Sequence, residues 1–393
     1  PSSRPNVIFI LADDLGWGDL SCYGRPDYRT PNLDRLAAEG TKFTDAYSGS
    51  AICTPTRCAF ITGRYPGRLK IGLVEPLPAT NRSVGLDPGH PTIASLLKKS
   101  GYDTALIGKW HLGFRPEWRP NAHGFDEFFG IMTGAADFFT HKDMAGDPDL
   151  YEGKVPVERI GYTTEMLTQR AVEFISQRGK GAESPFYLSL QYTAPHWPWE
   201  GPQDQSVSRA LGRGYDGFTA GGSLKTYAAM MKSLDDGIGE VLRALDRAGM
   251  TRNTLVIFTS DNGGERFSYN WPFRGQKFSL WEGGIRVPAI VRWPGVVPVN
   301  LVTQQAAIMM DWTSTMLAAG NAKADAAYPL DGNDLLPVIR GTQPLYERTF
   351  FWRNSNQDAA LKGHWKYLND GSQEYLFDLS VDEREQANFR ELN

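Results

Sequence analysis

Asn6-Val7-Ile8-Phe9-Ile10-Leu11-Ala12 is a short unbroken apolar run that closes on Asp13-Asp14. Past Asn6 it offers no polar residue to face water on either side, so it reads as a central strand buried on both faces. Further apolar runs at 103–108, 186–192, 254–259 and 287–293 repeat the theme. Between and around them the spacing predicts helices. One follows Thr30-Pro31 and runs from Asn32 to Glu39, where Gly40 ends it. Others are expected over 92–100, 163–177, 224–248 and 304–319. In the fourth of these five helices Tyr227, Met231, Leu234, Ile238, Val241, Leu242 and Leu245 share one face, a stripe for core packing. Strands alternating with helices specify an α/β fold with a large, mostly parallel central sheet sandwiched by helices. Polar residues stand just past the ends of four runs: Asp13-Asp14, Lys109 with His111, His196, and Asp261 with Asn262. Ligands in open α/β sheets bind outside the carboxyl ends of the strands, so these groups can converge on one crevice.

The rest of the chain bounds the answer. Its 393 residues suffice for one large α/β domain and a small one. Composition shifts near Gly341, and 348–353, 360–368 and 374–379 read as short antiparallel strands. The expected division is therefore a catalytic domain, 1–341, and a C-terminal subdomain, 342–393. Two long connections, 200–222 and 263–284 (carrying Lys277), exceed the usual loop length and are expected to be functional. A net charge of -4 without basic runs speaks against a nucleic-acid partner. No apolar run approaches the ~20 residues of a membrane span. Pro1 opens no signal-peptide pattern, so a targeting segment is either removed or was never present. Three cysteines make no disulfide framework, and spacing leaves open whether Cys22 and Cys58 pair.

Chemistry concentrates in two places. In Cys53-Thr54-Pro55-Thr56-Arg57-Cys58, Pro55 is tolerated in a first helical turn and Gly63 can end the helix. Cys53 then sits at a helix N-terminus, where outward N–H groups favour an anion, with Arg57 one turn inside. Taken alone, Cys53 also fits as a small buried hydrophobe. The second place is the set Asp13, Asp14, Asp261 and Asn262. Oxygen donors of this kind suit Ca²⁺ or Mg²⁺, and no Cys/His cluster competes for a softer metal. Each is individually compatible with a cap or turn, but adjacent carboxylates without a cation would repel strongly.

Cys53, Pro55 and Arg57 form a Cys-x-Pro-x-Arg motif that resembles the one type I sulfatases use to have their cysteine oxidised to formylglycine. The resemblance continues in Asp13-Asp14, Gly108 to Gly113, Ala194 to Pro198, Ser260 to Gly263, Arg274 to Lys277, Trp281 to Pro288 and Tyr375 to Leu379. It covers nearly the whole chain in the family's order. It implies a sulfuric ester hydrolase of the alkaline phosphatase superfamily, acting on a sulfated sugar or aryl sulfate. Formylglycine hydrate from Cys53 is then the nucleophile, made by a formylglycine-generating maturation enzyme. Ca²⁺, or Mg²⁺, would be held by Asp13, Asp14, Asp261 and Asn262 beside residue 53. Lys109 and Lys277 would clamp sulfate oxygens, a contact whose loss typically costs ~10²–10³ in rate. Asp261 would take the nucleophile's proton, His196 with Lys277 would protonate the leaving alcohol, and His111 would help release sulfate. The family's usual setting is secreted or periplasmic.

Two departures matter. Thr56 and Cys58 stand where serine and a small residue are usual. A polar site residue is often found near Thr133-Gly134, where its contact is here missing or reassigned. The following Asp137-Phe138-Phe139-Thr140-His141 resembles a sugar-subsite segment of N-acetylgalactosamine sulfatases, implying substrate contacts by Asp137 and His141. Trp197 and Trp199, with Trp110 and Trp118, could stack on a ring. Two other readings remain: a phosphonate monoester or phosphodiester hydrolase of the same superfamily, and a sulfated-glycan binder with unmodified Cys53.

Overall fold

The computed structural model describes residues 4–179 and 184–392. Strand Asn6–Ala12 lies in the middle of a ten-stranded sheet, completely buried. It pairs in parallel with Phe186–Gln191 on one side and Thr254–Ser260 on the other. Asp103–Gly108 extends the parallel set beyond Phe186–Gln191. The four runs that carry polar ends are thus immediate neighbours, and their carboxyl ends are in register: Ala12 lies opposite Ser260, and Leu11 and Gly108 opposite Gln191.

Side chains alternate across a strand, so both faces of Asn6–Ala12 need cover. Val7, Phe9 and Leu11 pack into one layer, which includes Phe60 of helix Cys53–Thr62, Leu97 of Ile93–Lys99 and Met316 of Met309–Ala319. Ile8, Ile10 and Ala12 pack into the other, with helices Pro31–Ala38, Thr163–Arg178 and Leu224–Arg247. Phe9 and Phe60 stack at 4.0 Å between ring centroids. Each large side chain so buried contributes on the order of 1.5–3 kcal/mol.

Several expectations shift. The 287–293 run forms Ala289–Arg292, antiparallel to both of its neighbours. Thr41–Phe43 and Glu127–Ile131 are additional strands. The helix expected from 304 begins only at Met309. Leu301–Thr303 first pairs beside Thr41–Phe43, and Asp311 Oδ2 accepts the Ile308 N–H where the helix starts. The C-terminal residues build a separate four-stranded antiparallel sheet: Thr349–Asn354, Gln357–Lys362, Trp365–Asn369 and Glu374–Asp378. The single strand read over 360–368 is a hairpin. Lys362 pairs with Trp365, and Gly363 adopts the positive φ (59°) that such a two-residue turn requires. Cys22 and Cys58 are both free and form no disulfide.

Candidate active site

Helix Cys53–Thr62 brings its first residue to the carboxyl edge of the sheet. Ile52 precedes it in extended conformation, no side chain caps its N-terminus, and Gly63 closes it with φ 68°. All ten of its residues are buried. Arg57 therefore projects into the interior rather than to solvent. Its Nη1 donates to Gln191 Oε1 (2.7 Å) and to the Lys109 carbonyl (3.2 Å), while Nε and Nη2 donate to Asp261 Oδ2 (3.2 and 3.0 Å). One guanidinium thus ties three strand ends together.

Around it, three carboxylates meet three cations. Lys109 Nζ lies 2.6 Å from Asp13 Oδ2, Lys277 Nζ lies 2.7 Å from Asp14 Oδ2, and Arg57 holds Asp261. Asp261 Oδ1 accepts the Asp14 N–H (3.1 Å), and Asn262 Nδ2 donates to Asp14 Oδ1 (2.7 Å). Asp14 has φ 64° and His111 has φ 59°, a strained setting for non-glycine residues that clusters at functional sites. Gly108, just before Lys109, has φ 121°, and a Cβ there would stand 1.7 Å from the Gln191 carbonyl oxygen. That close approach lets Lys109 turn in beside Asp13.

The histidines take defined tautomers. His111 Nε2 lies 2.8 Å from the Leu77 carbonyl, so it carries the proton and leaves Nδ1 bare, 3.4 Å from Cys53 Sγ. His196 Nδ1 donates to the Trp197 carbonyl (2.6 Å), leaving Nε2 bare toward Lys277 Nζ (3.2 Å) and 3.5 Å from Asp14 Oδ2. Burial, then Lys109, depresses the His111 pKa well below its ordinary value; burial, then Lys277, does the same to His196. Both rings are neutral. Burial and the neighbouring Asp13 push Asp261 up to about 6, against the pull of Arg57. Burial acts to raise Asp14 as well, but the Lys277 ammonium outweighs it and holds it below the usual range. Burial also pushes the Cys53 thiol up, with Lys109 and Lys277 only partly offsetting it. Residue 53 as a cysteine is thus a neutral thiol, not a thiolate.

The arrangement has the groups to hold a metal ion. Asp13 Oδ1 and Asn262 Oδ1 are buried acceptors that receive no hydrogen bond. Asp13, Asp14 and His196 each offer one ligand atom, all within 4.8 Å of one another. His196 is thereby a possible metal ligand in addition to the four oxygen donors expected from the sequence.

Cys53, Arg57, Lys109, His111, His196, Asp261, Lys277, Asp13, Asp14 and Asn262 all come together here. Asp137 and His141 lie in a different set of contacts. Asp137 Oδ1 accepts from the Phe139 and Thr140 N–H groups and from Ser208 Oγ, and His141 Nε2 meets the Gly161 carbonyl. Both are buried and bind loops to one another. Trp110, Trp197 and Trp199 are core residues rather than open stacking surfaces, Trp197 packing edge-on against Tyr215 and Phe218. The open aromatic beside the cluster is Phe278, adjacent to Lys277 and 39% exposed. Thr133 Oγ1 is spent on Asp149 (2.6 Å), and a Cβ at Gly134 would reach 2.6 Å from the His111 ring, so Gly134 supports that imidazole by shape. Sequence reading missed Gln191, the Leu77 carbonyl and Glu265, which lies 4.0 Å from Lys277. Gln191 had a usable signal, being the polar end of an apolar strand.

The carboxyl edge of this mostly parallel sheet thus gathers residues that could hold a metal ion beside the uncapped N-terminus of a helix. Residues 5–322 match the sulfatase family model. N-acetylgalactosamine-6-sulfatase from Mus musculus is 34% identical over 385 residues, spanning 92% of this chain and 71% of the relative. The structure of Ps i-CgsB in complex with k-i-k-neocarrahexaose superposes with a TM-score of 0.88 at 31% identity, over 99% of this chain and 89% of that one. Phosphonate monoester hydrolase of Agrobacterium radiobacter shares the fold, with a TM-score of 0.70 at 21% identity over 99% and 92% of the two chains. The chain belongs to the sulfatase family, within the alkaline phosphatase superfamily. By class it is a sulfuric ester hydrolase.

Proposed function

We propose that this protein removes sulfate from a sulfated sugar, using formylglycine derived from Cys53 and a hard divalent cation, Ca²⁺ or else Mg²⁺. The catalytic unit is residues 1–341, with 342–393 as its C-terminal subdomain. The observation that carries this reading is the meeting of Cys53, at an uncapped helix N-terminus, with Lys109, Lys277, His111 and His196 around the acidic cluster.

Asp13, Asp14, Asp261 and Asn262 would hold the cation beside residue 53, with His196 as a further candidate ligand. Bound there, the ion supplies Lewis-acid polarisation of a sulfuryl oxygen. Formylglycine supplies a hydroxyl nucleophile that a thiol does not. The remaining chemistry belongs to the chain's side chains. Three carboxylates are already balanced by Arg57, Lys109 and Lys277, so a divalent ion leaves the centre net positive and suited to an anionic ester. Lys109 and Lys277 bind peripheral oxygens. Arg57 keeps Asp261 oriented so that its carboxylate can accept the nucleophile's proton. With the Nε2 of His196 bare, the proton for the departing alcohol comes from the Lys277 ammonium that faces it rather than from His196 as expected, and the bare Nδ1 of His111 accepts one at residue 53.

A sulfated sugar is favoured by two relatives, one named for N-acetylgalactosamine-6-sulfate chemistry and the other bound to k-i-k-neocarrahexaose. Asp137 and His141, buried in contacts between loops, would act on the sugar through the loops they hold, and their alanine variants should raise KM. Secretion or export to a periplasm fits such a substrate. Two experiments decide the reading. After co-expression with a maturation enzyme, the Cys53 peptide should show the mass of the aldehyde and react with a hydrazide. The converted protein should then hydrolyse an aryl sulfate with higher kcat/KM than a phosphonate monoester. The opposite ratio would favour the phosphonate hydrolase, and binding of sulfated glycan without any turnover would favour a lectin-like protein.

A further inference from the structure

Lys277 sits on the long connection after Gly263, yet its ammonium is buried and held at 2.7 Å from Asp14. A lysine on a loop needs something to hold its backbone. Phe278, the next residue, has φ 71°, a strained setting for an aromatic residue. Its N–H donates to the Ala51 carbonyl (3.0 Å), two residues before Cys53. Its carbonyl receives two side-chain amides from one hairpin tip of the C-terminal sheet: Asn354 Nδ2 at 2.7 Å and Gln357 Nε2 at 3.1 Å. Gln357 Oε1 also accepts the Leu280 N–H at 2.9 Å.

The same sheet grips the segment on both sides of this point. Arg274 Nη1 donates to the Glu385 carbonyl (3.3 Å). Glu282 receives Lys366 Nζ (2.9 Å), while Glu385 accepts the Glu282 N–H (2.7 Å). Trp281 packs its ring against Tyr375 and Phe377. Residues 274–282 are therefore fastened to the C-terminal subdomain before, at and after the lysine.

We infer that Asn354 and Gln357 are positioning residues for catalysis: the C-terminal hairpin clamps the Phe278 carbonyl and so fixes Lys277 at the sulfuryl-binding centre. The inference rests on Lys277 binding the anionic ester. It assigns the small subdomain a part in the chemistry, since displacing a catalytic group by about 1 Å can cost ~10²-fold.

Asn354→Asp keeps the side chain's shape but sets an oxygen against the Phe278 carbonyl. Gln357→Glu likewise sets a carboxylate oxygen against the Phe278 carbonyl while keeping an acceptor for the Leu280 N–H. Gln357 is the less buried of the two, which covers the case in which Asn354→Asp misfolds. Each is made in the wild-type and Lys277→Ala backgrounds, with Ser372→Ala at the sheet's far turn as control. Kinetics on an aryl sulfate are paired with hydrogen exchange of the 277–280 amides. Each clamp variant should lower kcat about ten- to a hundred-fold in the wild-type background, speed exchange at 277–280, and cost little more once Lys277 is gone. Ser372→Ala should match wild type. Losses that multiply in the Lys277→Ala background, or exchange unchanged by both clamp variants, would overturn the clamp. If the unsubstituted protein turns over no ester, the sulfatase reading fails separately. The same cycle is then read as affinity for inorganic sulfate, with additive losses again overturning the clamp and non-additive ones supporting it.

Discussion

His111 shows how one carbonyl sets a reactive atom. Because Leu77 takes its Nε2 proton, Nδ1 is left bare beside residue 53, and burial keeps the ring neutral. Residue 53 is the sharper test. Cys53→Ser has one hydroxyl where formylglycine hydrate has two, so it can be sulfated but cannot eliminate sulfate as an aldehyde reforms. Mass spectrometry of the variant mixed with an aryl sulfate should show a stoichiometric sulfuryl adduct and no turnover. A second residue-level prediction concerns Asp149, which burial raises to about 7 despite hydrogen bonds from Thr133 and Met132. The unfolded value is about 3.9, so in between the folded protein holds a proton that the unfolded chain has released. The stability this group contributes is full below about pH 4 and is lost as the pH rises through about 7. Asp149→Asn should therefore gain stability relative to wild type as the pH rises across that range, read as the difference in Tm. A flat difference would remove Asp149 from the account.

Helix Cys53–Thr62 is the element on which the site turns, because it must be docked for Cys53 and Arg57 to reach the strand ends. Phe60 does much of that docking, fully buried and stacked at 4.0 Å on Phe9 of the central strand. Phe60→Ala should cost ~3–5 kcal/mol in denaturant unfolding. Activity per folded molecule should also fall, since a loosened helix misplaces both residues. Strand ends behave differently from helices in how readily they are read. A run apolar on both faces announces a buried strand, and a charge at its end is conspicuous, so Asp13, Lys109, His196 and Asp261 were legible in the chain. Very short strands such as Thr41–Phe43 lack that signature, because three residues cannot display a period. The hairpin within 357–369 was hidden for a different reason. Gly363 turns the chain in two residues, between apolar runs that looked continuous.

Across the whole molecule, buried charge joins the C-terminal sheet to the segment that carries Lys277. Lys366 lies 2.9 Å from Glu282 and 2.7 Å from Glu385, all three excluded from solvent. Removing the cation strands Glu385 in a low dielectric and leaves Glu282 only the Arg286 cation, so Lys366→Met should destabilise by ~3–5 kcal/mol. If the junction supports the Lys277 segment, kcat should fall with it. Metal dependence belongs to the same scale. Chelation should abolish activity and lower Tm, because an ion that binds only the folded state stabilises it. Full activity in excess chelator would falsify the assignment of Asp13, Asp14, Asp261 and Asn262 as cation ligands.

The order of apolar runs, the strand-end polar residues and the Cys53-to-Arg57 spacing belong to the chain itself, because periodicity and chain connectivity are local properties that need no coordinates. From them came the layered α/β architecture and the membership of one pocket. Tautomers, the Arg57 crossing to Gln191 and Asp261, the burial of Trp197 and Trp199, and the grip of Asn354 on Phe278 were decided only by tertiary structure. Each depends on which distant backbone carbonyl or side chain arrives within about 3 Å, and that is set by how helices and sheets pack, not by neighbours along the chain.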